Sequence, residues 1–257
     1  MWPKRADHIS KGAGPASLEA IDLSVHYGDV TALRPLSVSL EPGVALAVLG
    51  PNGAGKTSLA NALSGVVRGS AIGLKFDGTD IRLLPAHARA RLGIGHLPDS
   101  RAIFPSLSVE ENLKMAFQRD RNSMRRNIDA ACDLFPNLRR RTSLPAGKLS
   151  GGEQQMLALA RLMITPPRLL IVDELSHGLA PGVVAKLFSS LDALKGTSTI
   201  VVVEQFVARA LALADQVLVL SGGQVLHQGP AAEISTQQVA EFYSLNDSPS
   251  PPTTART

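Results

Sequence analysis

The sequence is poor in cysteine and in long apolar runs, and each shortage excludes a class of protein. Its 257 residues include a single cysteine, Cys132, so no disulfide can form within the chain. No stretch reaches the roughly 18 uncharged apolar residues that a membrane-spanning helix needs. The opening stretch MWPKRADHISKGAGP has no apolar segment of the kind that a secretion signal contains. We therefore expect a soluble chain that works in a reducing compartment.

Aromatic residues and excess charge are also scarce. Aromatics make up 4% of the chain, and the formal net charge is +4. So small an excess is explained by a solvated surface at least as well as by nucleic-acid binding. The arginine-rich stretches 119–126 and 139–141 have no aromatic residue interleaved with them, which favours a solvated helical face. We expect no nucleic-acid partner.

What remains is an alternation of strand-like and helix-like segments, which is typical of an α/β fold. Apolar runs at 44–50, 169–173 and 199–204 predict buried parallel strands, and a helix is expected over 56–64. Asp77-Gly78 and Gly222-Gly223 predict the turns of two antiparallel hairpins. We expect one domain over 17–245, with strands absent from a helical part at about 86–160. Residues 1–16 and 246–257 are expected to be disordered tails.

The stretch GPNGAGKT, from Gly50 to Thr57, follows a buried strand and begins a helix. It has the spacing G-x-x-x-x-G-K-[ST], in which glycines let successive backbone amides point at phosphate oxygens. The amides at the start of the helix add positive potential. Lys56 is expected to reach the β- and γ-phosphates, and the Thr57 hydroxyl to bind Mg²⁺. A plain tight turn would need neither side chain, so we predict a nucleotide site.

Two acidic residues end the apolar strand LLIVDE. Asp173 stands where a carboxylate can hold Mg²⁺, directly or through water. Glu174 follows it, and we expect Glu174 to be the catalytic base that polarises an attacking water. A strand that ends in Asp-Glu is weak evidence by itself, and the glycine loop upstream makes it strong.

A third motif, LSGGEQQMLALARLM, runs from Leu149 to Met163. Ser150 and two glycines precede an amphipathic helix that the prolines at 166 and 167 end. Small residues at a helix N-terminus favour a second phosphate-binding site, although a simple N-cap explains the same residues.

These three motifs, in this order and spacing, resemble the ATP-binding subunits of ABC transporters over residues 18–243. The resemblance implies a P-loop NTPase core with an antiparallel β subdomain and an inserted helical subdomain. It also implies two such chains that pair head to tail, each ATP lying between the glycine loop of one and the signature serine of the other. By position, the ATP-binding residues would be Tyr27 against adenine, the loop residues Gly50, Pro51, Asn52, Gly53, Ala54, Gly55, Lys56, Thr57 and Ser58, and the signature residues Ser150, Gly151, Gly152 and Glu153.

Finer details are similar to one of the two ATPase subunits of branched-chain amino-acid importers, a branch that includes urea and amide transporters. They are the stretches GIGHLPDSRAIFPSLSVEENL, GLAP and VVVEQ, and Glu153 as the fifth signature residue. The branch implies a second, different ATPase chain, two membrane permease chains and, indirectly, an external solute-binding protein. It places the chain on the cytoplasmic face of the cell membrane. A non-transport ATPase of the same fold, such as an iron–sulfur cluster assembly factor, is the alternative.

Several positions depart from the wider family, and two of them, Asp99 and Gln205, are candidate catalytic residues. Asp99 replaces the usual glutamine, and two roles are open for it: binding Mg²⁺ through water, or repelling the γ-phosphate. Gln205 stands where a histidine commonly contacts the γ-phosphate, and a glutamine cannot become cationic. Leu175 replaces a proline after Glu174. His177, in the loop that follows, is either a sensor of the opposite site or, more in keeping with a lone histidine, a surface residue.

Overall fold

A computed structural model describes residues 14–100, 102–116 and 121–244, without the side chains of 121–123. Its centre is a sheet of six strands in the order β10-β9-β3-β8-β7-β6, beside a second sheet of four strands in the order β2-β1-β4-β5. The strands are β1 Leu18–Tyr27, β2 Val30–Leu40, β3 Ala45–Leu49, β4 Gly73–Phe76, β5 Thr79–Asp80, β6 Ile94–Leu97, β7 Leu169–Asp173, β8 Thr199–Glu204, β9 Gln216–Ser221 and β10 Gln224–Pro230. The α-helices are α1 Lys56–Ser64, α2 Ala86–Leu92, α3 Val109–Met115, α4 Arg121–Leu134, α5 Pro136–Arg139, α6 Gly151–Ile164, α7 Pro181–Asp192, α8 Val207–Leu213 and α9 Thr236–Ser244.

The central strands are apolar along their whole length because both faces of the sheet are covered. In β3, Ala45, Ala47 and Leu49 belong to one buried cluster, whereas Leu46 and Val48 belong to another on the opposite face. β3 pairs in parallel with β8 and β9, and β7 pairs in parallel with β6 and β8. The carboxyl ends of β3, β7 and β8 therefore meet at one end of the sheet, where the glycine loop begins and where Asp173 and Glu174 lie.

The two predicted hairpins are confirmed. β4 and β5 pair antiparallel around Asp77 and Gly78, and β9 and β10 pair antiparallel around Gly222 and Gly223. The first hairpin joins the four-stranded antiparallel sheet, of which β1 and β2 form the largest part. The helix predicted over 56–64 is also confirmed as α1.

The expectation that strands are absent from 86–160 was wrong. Ile94–Leu97 form β6, which pairs in parallel with β7 and is the edge strand of the central sheet. This strand has only four residues, of which Gly95 and His96 are not strongly apolar. Its hydrophobic pattern is therefore too short to predict a strand. The helices α3 to α6 follow β6, and α3 begins at a capping box formed by Ser108 and Glu111.

The folded region begins earlier than predicted. Ala16 is fully buried, and its carbonyl accepts a hydrogen bond of 2.6 Å from Thr199 Oγ1 at the start of β8. Of the predicted tail 1–16, residues 1–13 lie outside the described part of the chain, as do residues 245–257 at the other end.

Candidate nucleotide-binding site

The glycine loop, residues 50–57, joins β3 to α1. At two of its positions, Gly50 and Gly55, neighbouring backbone leaves no room for a side chain. A Cβ on Gly50 would lie 2.3 Å from the carbonyl oxygen of Leu220 on β9. A Cβ on Gly55 would lie 2.6 Å from the carbonyl oxygen of Ala32, and the φ of Gly55 is +98°, in the left-handed region that glycine tolerates. Gly55 is the N-cap of α1 and has no side chain to cap the helix, so the first amides of α1 stay available to a ligand.

Lys56 lies under the loop, and its side chain is 4% exposed. Its Nζ donates to the carbonyl oxygens of Gly50 at 2.9 Å and Pro51 at 3.0 Å, and lies 3.9 Å from Glu174 Oε1. Burial lowers the pKa of the ammonium, and the carboxylates of Glu174, Asp173 and Glu204 oppose that effect. Lys56 thus places a positive charge between the loop and the acidic ends of β7 and β8.

Asp173 is the carboxylate that best fits a metal ion. It is 1% exposed, and its Oδ1 is buried without a hydrogen-bond partner in the described part of the chain. Burial raises its pKa to about 6, while a hydrogen bond from the Thr57 side chain acts in the opposite direction. A buried carboxylate oxygen without a hydrogen-bond partner is energetically costly. Together with the Thr57 hydroxyl, this oxygen is a suitable ligand for a hard cation such as Mg²⁺.

Glu174 follows β7 in a backbone conformation with φ +49°, which is rare for a residue with a side chain. Its amide donates to Val203 of β8 at 2.9 Å, which fixes the turn. The carboxylate is held on both oxygens, because Gln205 Nε2 donates to Oε1 at 3.1 Å and His177 Nδ1 lies 3.4 Å from Oε2. The sequence-predicted base therefore has a defined orientation at the edge of the sheet.

Gln205 connects the glycine loop to Glu174. Its Nε2 donates to Asn52 Oδ1 at 2.6 Å as well as to Glu174 Oε1. An amide offers two donor hydrogens, so one side chain can satisfy both partners at once. The departure from histidine at this position therefore creates a neutral bridge between the loop and the candidate base.

Asp99 and His177 complete the edge. Ligand atoms of Asp99, Glu174 and His177 lie within 4.8 Å of one another, with Asp99 and His177 exposed and Glu174 half-buried. The negative charge of Asp99 is close enough to contribute to the raised pKa of Asp173. The structure thus brings two of the departures, Asp99 and Gln205, to the same place as the candidate base. Leu175, the third departure, is fully buried in the core, where its side chain packs.

The signature segment forms a capping arrangement of its own. Ser150 is the N-cap of α6, and its hydroxyl and the Glu153 carboxylate form a capping box in which each receives the other's backbone N–H. Arg141 Nε lies 3.3 Å from Glu153 Oε1. A Cβ on Gly152 would lie 3.0 Å from Val183 Cγ1, so α6 and α7 approach closely there. No described contact brings Ser150 or Glu153 to the glycine loop of the same chain.

Tyr27, predicted to stack on adenine, ends β1 and is 46% exposed. It pairs with Val30 across the β1–β2 turn. Its ring is therefore free to contact a planar ligand, and its role stays a prediction.

Sequence reasoning missed Glu204 and Ser176. Glu204 ends β8, is 1% exposed and accepts hydrogen bonds from the backbone and the hydroxyl of Ser176. The available signal was an acidic residue at the end of the apolar run TIVVVE, the same signal that identified Asp173.

Comparison with protein families and with characterised proteins agrees with this geometry. The family model described as ABC transporter matches residues 33–177. The chain is 37% identical over 224 residues to BraG of Pseudomonas aeruginosa, a high-affinity branched-chain amino acid transport ATP-binding protein, covering 86% of this chain and 96% of BraG. It is 36% identical over 220 residues to the probable branched-chain amino acid transport ATP-binding protein LivF of Archaeoglobus fulgidus, covering 84% of this chain and 93% of LivF. It is also 32% identical over 223 residues to LptB, the lipopolysaccharide export system ATP-binding protein of Escherichia coli, covering 85% and 92%.

Solved structures show the same fold at lower identity. The ATP-binding subunit of an ABC transporter superposes with a TM-score of 0.78 at 22% identity, covering 88% of this chain and 99% of that one. An ATP-binding cassette of an ABC transporter in its ADP conformation gives 0.76 at 22% identity, covering 89% and 98%. The predicted P-loop NTPase core of ABC type, with its antiparallel β subdomain, is confirmed.

This chain thus combines a glycine loop after β3, an acidic end of β7 and a capped signature helix. The family model and the relatives both identify the same family. This protein belongs to the ABC transporter family and carries its nucleotide-binding cassette.

Proposed function

We propose that this chain is the ATP-hydrolysing subunit of an ABC importer, energising uptake of branched-chain amino acids or related small polar solutes. The observation that carries the proposal is the meeting of Lys56, Asp173, Glu174 and Gln205 at one end of the parallel sheet, beside a glycine loop. The branched-chain amino acid transport names of BraG and LivF support the solute class.

In the proposed mechanism, the amides of the loop and of the first turn of α1 bind the phosphates of ATP. Lys56 offsets their negative charge from below the loop, while Glu174 accepts a proton from the attacking water. Gln205 donates hydrogen bonds both to the Glu174 carboxylate and to Asn52 of the glycine loop. A movement of the loop on nucleotide binding would therefore change the position of the base.

Mg²⁺ fits the residues present. The buried, unpartnered Oδ1 of Asp173 and the Thr57 hydroxyl beside it would hold the ion, with Asp99 as a further carboxylate at the same edge. The ion would neutralise phosphate charge during transfer. Because Asp99 is short and charged, it would either bind Mg²⁺ through a water molecule or slow turnover by repelling the γ-phosphate. Asp99→Gln distinguishes the two roles, because it should raise turnover only if Asp99 repels the γ-phosphate.

The signature segment supports pairing with a second ATPase chain. Ser150 and the following glycines begin α6, a helix of 14 residues, and no described contact joins Ser150 to the glycine loop of its own chain. Two phosphate-binding segments that do not meet within one chain are both used when two cassettes face each other. The resemblance to importers with two different ATPases favours a heterodimer.

The permease chains would dock between the central sheet and the helices α3 to α6. Among the described residues no helix is long and apolar enough to cross a membrane. Phe104, 42% exposed, lies in the segment 99–109 that follows β6, with the Arg161 guanidinium 4.9 Å above its ring. This exposed aromatic beside α6 would contact a permease chain on the cytoplasmic face of the membrane. The external solute-binding protein would belong to the same complex indirectly, through the permease.

Two alternatives compete with the importer. LptB belongs to an export system, so the direction of transport rests on the higher identity to BraG and LivF. An iron–sulfur cluster assembly factor of the same fold would bind soluble scaffold proteins instead of a permease.

Co-purification of tagged full-length protein from membranes in mild detergent tests the proposal. Two polytopic permease chains and a sister ATPase, identified by mass, would support the importer. Soluble partners alone, with the chain absent from the membrane fraction, would contradict it and favour the assembly factor. Reconstituted complex that transports lipopolysaccharide outward and no amino acid would favour the exporter.

A further inference from the structure

A buried carboxylate joins the loop that follows β7, residues 174–180, to the residues that follow β8. It has no part in the proposed mechanism of hydrolysis. Glu204 is 1% exposed and ends β8 next to Gln205. Its Oε1 accepts from the Ser176 backbone N–H at 3.1 Å, and its Oε2 accepts from the Ser176 hydroxyl at 2.6 Å. Oε2 also accepts from the Gln205 backbone N–H at 3.2 Å.

These bonds close a ring around the candidate base. Glu174 and Ser176 lie on the same loop two residues apart, Glu204 binds Ser176, Gln205 follows Glu204, and the Gln205 side chain returns to Glu174 Oε1 at 3.1 Å. Glu174 is the ring member with φ +49°, a backbone conformation that persists only where its surroundings hold it. The ring adds to the support that the bond from the Glu174 amide to Val203 gives this turn.

Stability alone does not account for a carboxylate at this place. Burial raises the pKa of Glu204, so its charged form is disfavoured by its surroundings. The groups that donate to it are neutral, and the Lys56 ammonium attracts its charge without a direct contact. Such a buried charge is weak evidence of a stabilising role. A carboxylate does have one property that no neutral side chain of its size shares: both oxygens only accept, so it can bind N–H groups from two loops at once.

We infer that Glu204 is a positioning residue for hydrolysis, which fixes Glu174 and Gln205 relative to each other by tying the loop after β7 to the residues after β8. The inference rests on the proposed role of Glu174 as the base. It assigns to Glu204 no contact with nucleotide, so loss of Glu204 is expected to affect turnover and to leave nucleotide binding in place.

Three variants test this in the full-length chain, assayed under conditions in which two ATPase chains pair. Glu204→Gln is nearly isosteric, but its NH₂ group would face one of the donors that the carboxylate accepts, so the ring opens on that side. Ser176→Ala removes the 2.6 Å bond and keeps the Ser176 backbone bond. Asp215→Asn is the matched control, because Asp215 Oδ2 also accepts a backbone N–H of the central sheet, from Ala45 at 2.8 Å, at the opposite edge.

We expect Glu204→Gln to lower kcat for ATP hydrolysis by about 10- to 100-fold, the scale of a displaced catalytic group, with KM for ATP within about 2-fold of wild type. Ser176→Ala should lower kcat by a smaller factor, and Asp215→Asn should leave kcat unchanged. In a Glu174→Gln background, Glu204→Gln should lower kcat by less than about 2-fold, because the group it positions is already gone.

The outcomes separate this inference from the proposed function. If Glu174→Gln is impaired and Glu204→Gln keeps wild-type kcat, the positioning role is wrong and the base assignment stands. A full, multiplicative loss of kcat in the double variant, or a raised KM as the main effect of Glu204→Gln, would also overturn the positioning role. Wild-type turnover in Glu174→Gln would overturn the base assignment itself. Should Glu204→Gln fail to fold, Ser176→Ala decides, since wild-type kcat in that variant contradicts the inference and a lowered kcat with unchanged KM supports it.

Discussion

We predict that the buried carboxylate of Asp173 lowers the free energy of unfolding at neutral pH, and that Asp173→Asn raises it. Burial raises its folded-state pKa from 3.8 to about 6. The folded protein therefore binds this proton more tightly than the unfolded chain does, so the stabilisation is complete below about pH 4 and is lost as pH rises through 6. At pH 7.5, where the carboxyl is ionised in both states, this difference costs the folded protein about 3 kcal/mol relative to a side chain that stays neutral. An asparagine resembles that neutral form at every pH.

We expect the free energy of unfolding of Asp173→Asn at pH 7.5 to exceed that of wild type by about 1 to 3 kcal/mol, the upper figure holding if the amide is as well satisfied as a protonated carboxyl. Urea unfolding in EDTA, repeated at pH 5 and pH 7.5, measures it. The gap should shrink at pH 5, where wild-type Asp173 is largely protonated. With MgATP present the order should reverse, because only the wild type retains the proposed metal ligand.

Asp215→Asn is again the control, because Asp215 accepts a backbone hydrogen bond and forms an ion pair with Lys195 at 3.0 Å. It should not stabilise the protein. The reasoning would be refuted if Asp173→Asn were less stable than wild type at pH 7.5 in EDTA, or if the two proteins shared one pH dependence between 5 and 7.5.

Three further variants test the loop and the signature helix. Lys56→Ala should lose nucleotide affinity, and normal ATP binding by equilibrium dialysis would contradict the role of Lys56 below the loop. Gly55→Ala should destabilise the chain and abolish ATP binding, because its Cβ would lie 2.6 Å from the Ala32 carbonyl; wild-type melting and binding would contradict the required close approach. Ser150→Ala should cost about 1 kcal/mol by removing the N-cap of α6, with Ser150→Asn as the cap-preserving control. If both variants hydrolyse ATP normally under conditions where two chains pair, the cross-chain role of Ser150 is wrong and its cap explains it.

The sequence predicted those parts of the molecule in which local pattern and tertiary role agree. The glycine loop, the strand ending at Asp173 and the N-cap at Ser150 each carry a short signal with a direct physical cause. β6 was missed because its four residues are strand-forming only at the edge of a sheet that distant segments build.

The ring around Glu174 could not be predicted from local pattern. Glu204 and Ser176 are 28 positions apart in sequence, and Gln205 and Asn52 are 153 apart. Their contacts follow from the strand order that places β8 between β3 and β7. The acid at the end of β8 gave a hint of function, but its partners depend on the folded edge as a whole.

The most direct test of the account is ATP turnover by Glu174→Gln compared with wild type, together with nucleotide affinity of both proteins. We predict equal affinity for ATP and a turnover of the variant lower by about 100-fold or more, the scale of general base catalysis. Wild-type turnover in the variant would contradict the central claim that Glu174, held by Gln205 at the end of the sheet, activates the water that hydrolyses ATP.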